Sequence, residues 1–178
     1  MKNCFVKSAG VILFALFSTF AATAQELCDL KGKPAPLLLN LQIGMSPENA
    51  QAIFGRDLKI KIKKTGERTF FQNYIKNPAP PVLRGVRALY LRFFDGSLYQ
   101  IEIFYEPRAD LKTLDEISAA VSSQLNLPVS NWQIENNRAE ISCGEISLVA
   151  DNILNPRIEL TDETLRAKVE AAREKDQK

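Results

Sequence analysis

Residues 86–105 read VRALYLRFFDGSLYQIEIFY, and this stretch decides the fold. Apolar or aromatic side chains recur at every second position on both sides of Asp95-Gly96, which is typical of two strands that each bury one face. The stretch therefore predicts a β-hairpin at the centre of an antiparallel sheet. The odd-numbered positions expected on the buried face are Leu89, Leu91, Phe93, Tyr99, Ile101, Ile103 and Tyr105.

The parity of these positions also predicts the length of the hairpin loop. A two-residue Asp-Gly turn would place Leu91 opposite Gln100, and would so mix apolar with polar side chains on one face. A three-residue loop at 94–96, with Gly96 in the left-handed region, pairs Leu91 with Tyr99 instead. We therefore expect the three-residue loop.

The even-numbered side chains of the hairpin define a second face of mixed character. Aromatic residues and arginine are enriched at the centres of protein interfaces, which favours a binding role for this face. Aromatic residues also suit strands in general, and a helix packed here would give the same composition a structural role. The predicted binding residues are Tyr90, Arg92, Gln100, Glu102 and Phe104, with Ala88 beside them.

The segments around the hairpin predict an α+β fold. Alternating apolar positions indicate a first strand at 37–43, and Ser46-Pro47-Glu48 is a typical helix start with Ser46 as the N-cap. A capping box at 113–116 begins a second helix, and Thr161-Asp162-Glu163 begins a third at the C-terminus. This order favours an antiparallel β-sheet with the central hairpin and two or three helices packed on one face.

A second predicted hairpin at 58–75 has one strongly basic face, because lysines alternate with apolar residues over 58–63. A row of lysines can bind an anionic polymer, and it can equally protect an exposed sheet edge from pairing with another chain. The sequence leaves both alternatives open. The residues of this secondary basic face are Lys59, Lys61 and Lys63.

Residues 1–24 have the features of a secretory signal peptide. Lys2 and Lys7 precede an apolar run at 10–17 that is too short to span a bilayer, and Ala22-Thr23-Ala24 forms a small-residue cleavage site. We therefore expect an exported protein, periplasmic or extracellular, with no transmembrane segment after cleavage. The expected organisation is a linker at 25–36, a single α+β domain at 37–172 and a polar tail at 173–178.

Two cysteines, Cys28 and Cys143, remain after the predicted leader. In an oxidising compartment an even pair predicts a disulfide bond, which would stabilise the fold by roughly 4–5 kcal/mol on chain-entropy grounds. Two buried free thiols are the alternative, and a metal site is disfavoured because the chain contains no histidine. Gln25-Glu26-Leu27 precede Cys28 in place of the small residues of a lipid-attachment site, so we expect no lipid anchor.

The charges are unevenly distributed along the chain. Residues 25–92 carry 12 basic and 5 acidic side chains, whereas residues 93–178 carry 9 basic and 16 acidic ones. Because the chain without its predicted leader is neutral overall, nucleic acid is not an expected partner. We predict an envelope or secreted protein as the partner, and no cofactor.

The composition excludes several kinds of enzyme. Without histidine there is no Ser-His-Asp or Cys-His arrangement, and no phosphate-binding or dinucleotide-binding motif is present. Two carboxylates alone can hydrolyse a glycoside, but Asp115-Glu116 and Asp162-Glu163 stand at predicted helix starts, where negative charge is favourable. The calcium alternative, at Asp151, Asn152 and Asn155, lacks the spacing of a known binding loop.

The sequence therefore favours a non-catalytic exported binding or inhibitory module. The alternatives are a carboxylate-dependent envelope hydrolase and a purely structural cell-envelope component.

The segment 41–55, LQIGMSPENAQAIFG, resembles the strand, Gly-Met-Ser/Thr, short helix and Gly pattern of small envelope domains. These domains are similar to the outer-membrane assembly lipoprotein and β-lactamase-inhibitory protein families. Cys143 together with the segment 157–162 and the charged helical tail resembles uncharacterised secreted bacterial proteins. The resemblance implies a binding module built on an antiparallel sheet.

Overall fold

The computed structural model describes residues 28, 30–54, 59–75, 79–108 and 110–177. The predicted signal peptide, 1–24, and Gly55, the glycine expected to follow the first helix, lie outside this part of the chain. Among the described residues, no helix is long and apolar enough to cross a membrane.

Eight antiparallel strands form one sheet, in the order β1-β2-β3-β4-β8-β7-β6-β5. The central hairpin supplies β3 and β4, and β8 joins it to the second half of the sheet. The predicted α+β class with a central antiparallel hairpin is therefore confirmed. The strands are β1 Lys61–Ile62, β2 Arg68–Asn73, β3 Val86–Phe94, β4 Ser97–Tyr105, β5 Gln133–Glu135, β6 Arg138–Cys143, β7 Ile146–Asp151 and β8 Arg157–Asp162.

Three α-helices accompany the sheet: α1 Pro47–Phe54, α2 Leu114–Leu125 and α3 Glu163–Asp176. Each begins as its sequence predicts. The Ser46 hydroxyl accepts a hydrogen bond from the backbone N–H of Asn49, the capping box of Thr113 and Glu116 is complete, and the Asp162 carboxylate accepts one from the N–H of Leu165. Since these contacts satisfy N–H groups that a helix leaves free, they explain where the helices start.

The turn of the central hairpin differs from the predicted three-residue loop. Phe94 pairs with Ser97 across a two-residue Asp95-Gly96 turn, and both turn residues have positive φ, 51° and 75°, as in a type I′ turn. The register then shifts between the pairs on either side of Tyr99, which forms a β-bulge. The extra residue in the strand thus shifts the alternation of side chains by one position, which is the effect expected of the extra loop residue.

The bulge restores the buried face of the hairpin. Leu91 lies opposite Ile101 and Leu89 lies opposite Ile103, and all four side chains are fully buried. The prediction that they share a buried face is confirmed, but the predicted pairing of Leu91 with Tyr99 is wrong. Parity alone does not distinguish a longer loop from a bulge, because either one shifts the alternation by a single residue.

One hydrophobic core covers the face of the sheet that carries Leu89 and Leu91. Helix α1 contributes Ala50 and Phe54 to this core. Helix α2 contributes three further residues, so two helices pack on one face as expected. The residues from α2 are Ile117, Val121 and Leu125.

The N-terminal segment also covers the core, but it does not form the strand expected at 37–43. Pro36–Leu38 is a 3₁₀ helix, and Leu39 and Asn40 both have φ of 57°, which is incompatible with an extended strand. Leu38, which the alternating pattern placed on the exposed side, is fully buried. Buried side chains of this segment are Leu30, Ala35, Leu37, Leu38, Leu41 and Ile43.

Cys28 and Cys143 lie at disulfide distance, with Cα atoms 5.1 Å apart and a sequence separation of 115. Cys143 ends β6 and belongs to the core cluster, and Cys28 packs against that cluster. The pair therefore holds the start of the N-terminal segment against the core side of the sheet.

Candidate binding site on the sheet

The five residues predicted to bind lie together on the face of the sheet opposite the core, here called the outer face. Arg92 pairs with Gln100 and Tyr90 with Glu102, while Phe104 pairs with Ala88. Gln100 is buried and the other four predicted residues are half-buried. The structure thus brings all five into one surface, because the bulge at Tyr99 makes the alternation of side chains on β4 match that on β3.

A strip of three aromatic rings crosses this face. Phe71 on β2 stacks on Tyr90, with ring centroids 4.1 Å apart, and Tyr90 meets Phe104 edge-on at 6.1 Å. Phe71 is 49% exposed. The sequence analysis missed Phe71, although its alternation with the buried Phe70 is the signal that places it on the outer face. We call Phe71, Tyr90 and Phe104 the aromatic strip.

A shallow groove of about 230 Å³ lies over the aromatic strip. Amide and guanidinium groups stand at its margin, so the groove offers apolar surface together with hydrogen-bonding groups, as ligand sites commonly do. Beyond the strip itself, its lining residues are Asn73, Ile75, Arg87, Ala88 and Asn155.

A charged network occupies the neighbouring part of the outer face. The Arg157 guanidinium lies 2.7 Å from Glu102, 2.6 Å from Asp151 and 3.4 Å from Glu159. It also stands 5.9 Å from the centroid of the Phe104 ring. The sequence analysis did not anticipate Arg157, because the contacts join three strands that are distant in sequence.

Glu102 and Gln100 show how tightly this network is packed. Burial raises the pKa of Glu102, and the nearby Glu159 carboxylate raises it further, against the opposing effect of Arg157. The Gln100 amide nitrogen donates to Glu159 at 2.6 Å, while the buried amide oxygen of Gln100 has no partner among the described residues. Both predicted residues therefore belong to a polar layer built into the sheet.

The secondary basic face only partly forms the row that was predicted. Lys61 pairs with Thr69, which pairs with Arg92, so Lys61 lies in the same cross-strand row as the hairpin site. Lys63 is engaged in an ion pair with Glu67 at 2.8 Å. Lys59 is exposed and precedes β1. The two candidate surfaces thus meet on one face of one sheet.

The expected apolar side of this hairpin is also only partly buried. Ile62 is 70% exposed on β1, a two-residue strand at the edge of the sheet.

Glu67 joins three parts of the fold. Its carboxylate is fully buried and accepts hydrogen bonds from Lys63, from the Tyr99 hydroxyl at 2.9 Å and from Arg173 at 2.8 and 2.9 Å. Burial alone would raise the pKa of Glu67, but these hydrogen bonds outweigh burial and lower it. Burial and the hydrogen bond to Glu67 raise the pKa of Tyr99 to about 12.

Helix α3 borders the outer face at one end. It starts directly after β8, where Glu163 accepts a hydrogen bond from the Ser147 hydroxyl, and its last turns reach Glu67 through Arg173. The helix therefore continues through residues that the sequence assigned to a polar tail. Its buried residue, Val169, is absent from the core cluster, so α3 packs on the side of the sheet away from α1 and α2. The aromatic strip stays partly exposed beside it.

The other carboxylates considered for chemistry have structural partners. Glu116 accepts hydrogen bonds from the backbone N–H groups of Lys112 and Thr113, which hold its pKa below the usual range. Asp151 pairs with Arg157, as described above. Asn152 donates to the carbonyl of Lys112, and Asn155 accepts from Arg87. No cluster of three potential metal ligands of the histidine, cysteine, aspartate and glutamate types occurs in the described ranges.

Comparison with known proteins finds no match to a family model, to a curated protein or to a solved structure. The resemblance of 41–55 to small envelope domains therefore stays a prediction.

Proposed function

We propose that this chain is a non-catalytic, exported binding or inhibitory module whose outer face receives an envelope or secreted protein. The observation that carries the proposal is the aromatic strip, which α3 leaves partly exposed at the centre of the sheet. Large aromatic side chains dominate the energetics of protein interfaces, and here they lie on the central hairpin and β2, whose other face is packed in the hydrophobic core.

Two observations support export. The leader-like pattern at 1–24 is typical of secretion, and Cys28 and Cys143 stand at disulfide distance. Structural disulfides persist mainly in oxidising compartments such as the periplasm or the extracellular medium.

One observation favours a carboxylate-dependent hydrolase as a second candidate. Glu102 has a raised pKa and lies near a second carboxylate, Glu159, as the acid of a glycosidase pair does. On our proposal, however, these carboxylates serve to hold Arg157 in the sheet. Glu102→Gln should then leave binding intact, whereas a hydrolase would lose its activity.

The proposal is tested by removing two rings of the aromatic strip. The protein without its leader would be used to capture a partner from envelope extract, and the double variant Tyr90→Ala, Phe104→Ala should capture it at least tenfold less, since interface anchors are often worth 2 kcal/mol or more. The control variant Val129→Ala, Ile134→Ala removes side chains that are 58% and 57% exposed elsewhere on the surface. It should capture the partner as well as the parent does.

Circular dichroism would establish that both double variants are folded. Unchanged capture by a folded Tyr90→Ala, Phe104→Ala protein would place the site elsewhere, with the segment from Lys59 to Lys63 as the next surface to test.

A further inference from the structure

The cations around the aromatic strip have no acidic partner. Among the described residues, no carboxylate lies within 4.0 Å of the charged groups of Lys61, Arg87 or Arg92. Arg87 donates only to the neutral amide oxygen of Asn155, at 2.8 Å. The positive charge on this part of the outer face is therefore available to a ligand.

The acidic part of the same face differs in this respect. Its carboxylates, Glu102, Asp151 and Glu159, converge on the single guanidinium of Arg157, and each has lost most of its contact with solvent. Farther along the face, Glu140 pairs with Arg138 at 2.9 Å. Each of these carboxylates has an ion-pair partner in the protein, whereas Arg87 and Arg92 have none among the described residues, although the charge of Arg92 also acts on Glu102 and favours its ionised form.

Arg87 and Arg92 stand on opposite sides of the aromatic strip, because the strip crosses β3 between them. Arg92 lies two residues from Tyr90 on the same face of β3, next to the row of Lys61, and Arg87 lines the groove on the other side. Five residues of strand separate Arg87 from Arg92, which corresponds to about 16 Å at the usual rise per residue. An extended ligand lying along β3 would meet a cation, then the rings, then a second cation.

We propose that the partner presents to the outer face an extended, acidic protein segment, with two acidic residues about six positions apart and apolar side chains between them, so that all of these side chains point to the same side of the segment. This inference rests on the proposed function and names the chemistry of its partner. The acidic groups pair with Arg87 and Arg92, and the apolar side chains fill the groove over the strip. Complementary charge then sets the register of the segment, and the rings supply most of the binding energy.

A protein segment suits this surface better than a single-stranded nucleic acid. Bases bind by stacking on free aromatic faces, but Phe71 and Tyr90 already stack on each other at 4.1 Å. What the strip offers is a mixture of ring edges and ring faces in a shallow groove, which aliphatic and aromatic side chains can fill.

The test uses short probes and the folded chain without its leader. The acidic apolar peptide is acetyl-Glu-Gly-Phe-Gly-Leu-Gly-Glu-amide, in which the two glutamates and the two apolar side chains lie on one side of the extended chain. Its matched controls are the same peptide with lysine at both ends, the same peptide with glycine in place of phenylalanine and leucine, and a ten-nucleotide oligo(dT). Amide chemical shifts in two-dimensional NMR spectra report both the affinity and the residues contacted.

We expect the acidic apolar peptide to bind most tightly and to shift resonances of β2 and β3. Arg92→Glu should weaken its binding about tenfold at low salt, since it replaces one attraction by a repulsion. Arg138→Glu is the matched control on the same face, because Arg138 already pairs with Glu140. It should leave the affinity within about twofold of the parent value.

Three results would overturn the inference. One is equal or tighter binding of the lysine peptide, the glycine peptide or oligo(dT), and another is an equal effect of Arg92→Glu and Arg138→Glu. The third is no binding of any probe at millimolar concentration. Each leaves the proposed function standing as long as the Tyr90→Ala, Phe104→Ala variant still loses capture of the envelope partner, so the two failures are distinguishable.

Discussion

The two faces of this sheet are built from the same strands, yet they are stabilised in different ways. On the core face, Leu89 and Leu91 are fully buried under α1, α2 and the N-terminal segment. On the outer face, Phe71 and Tyr90 remain partly exposed, and the buried groups there are mainly polar. A hairpin whose core face is already fully buried has little need of large aromatic side chains on the other face. The outer face is therefore the part of the molecule to examine for function.

The core face differs from the outer face because α1, α2 and the N-terminal segment cover it. Reduction of the cysteine pair should loosen part of this cover. The chain-entropy estimate for a loop of 115 residues is roughly 4–5 kcal/mol. Urea unfolding of the protein without its leader should show a loss of about this size on reduction, and this protein, when unreduced, should contain no free thiol because Cys4 is removed with the leader. One equivalent of accessible thiol in the folded, unreduced protein would contradict the disulfide.

A matched pair of truncations tests the comparison directly. Leu91→Ala should lower the free energy of unfolding by about 3 kcal/mol, because it leaves a cavity under the helices. Tyr90→Ala, on the next residue of the same strand but the opposite face, should cost about 1 kcal/mol, mainly through its contacts with Phe71 and Phe104. Chemical denaturation measures both. Equal losses of unfolding free energy would mean that the outer face contributes as much to stability as the core does.

The smallest expected effect concerns the contact between α3 and the β1–β2 turn. Glu67→Gln should cost about 1–3 kcal/mol, since it weakens the charge-assisted hydrogen bonds from Lys63 and Arg173. Because the pKa of Glu67 is lowered from 4.5, its contribution is complete above that pH and is lost as the pH falls through the lowered value. The variant should therefore be less sensitive to acid than the parent in this range, as measured by unfolding at several pH values.

The control for this experiment is Glu135→Gln, which changes an exposed side chain on the edge strand β5. A parent and a Glu67→Gln protein with parallel stability curves between pH 3 and 7 would show that Glu67 does not tie α3 to the outer face.

Local patterns predicted the elements well where the local signal and the fold agree. The capping box at Thr113 and Glu116 and the N-cap at Asp162 marked helix starts correctly, because these contacts lie within four residues of each other. The prediction of a strand at 37–43 was wrong, because there the local pattern and the fold disagree. Its alternation of leucines is the same in a strand and in a compact turn that buries Leu37, Leu38 and Leu41, and only packing against α2 and the sheet distinguishes them.

By itself, the sequence determined that Leu89, Leu91, Ile101 and Ile103 face the core and which five residues form the outer face, because alternation along a strand is a local property of the backbone. It placed Tyr99 on the core face in error, since Leu98 takes that position and Tyr99 forms the bulge. Tertiary structure alone decided the bulge at Tyr99, the stacking of Phe71 on Tyr90 and the gathering of carboxylates around Arg157. It also decided that Arg173 reaches Glu67, 106 residues away in sequence. These contacts depend on which strands become neighbours and on where α3 lies, and pairing between distant segments leaves no periodic signal in the chain.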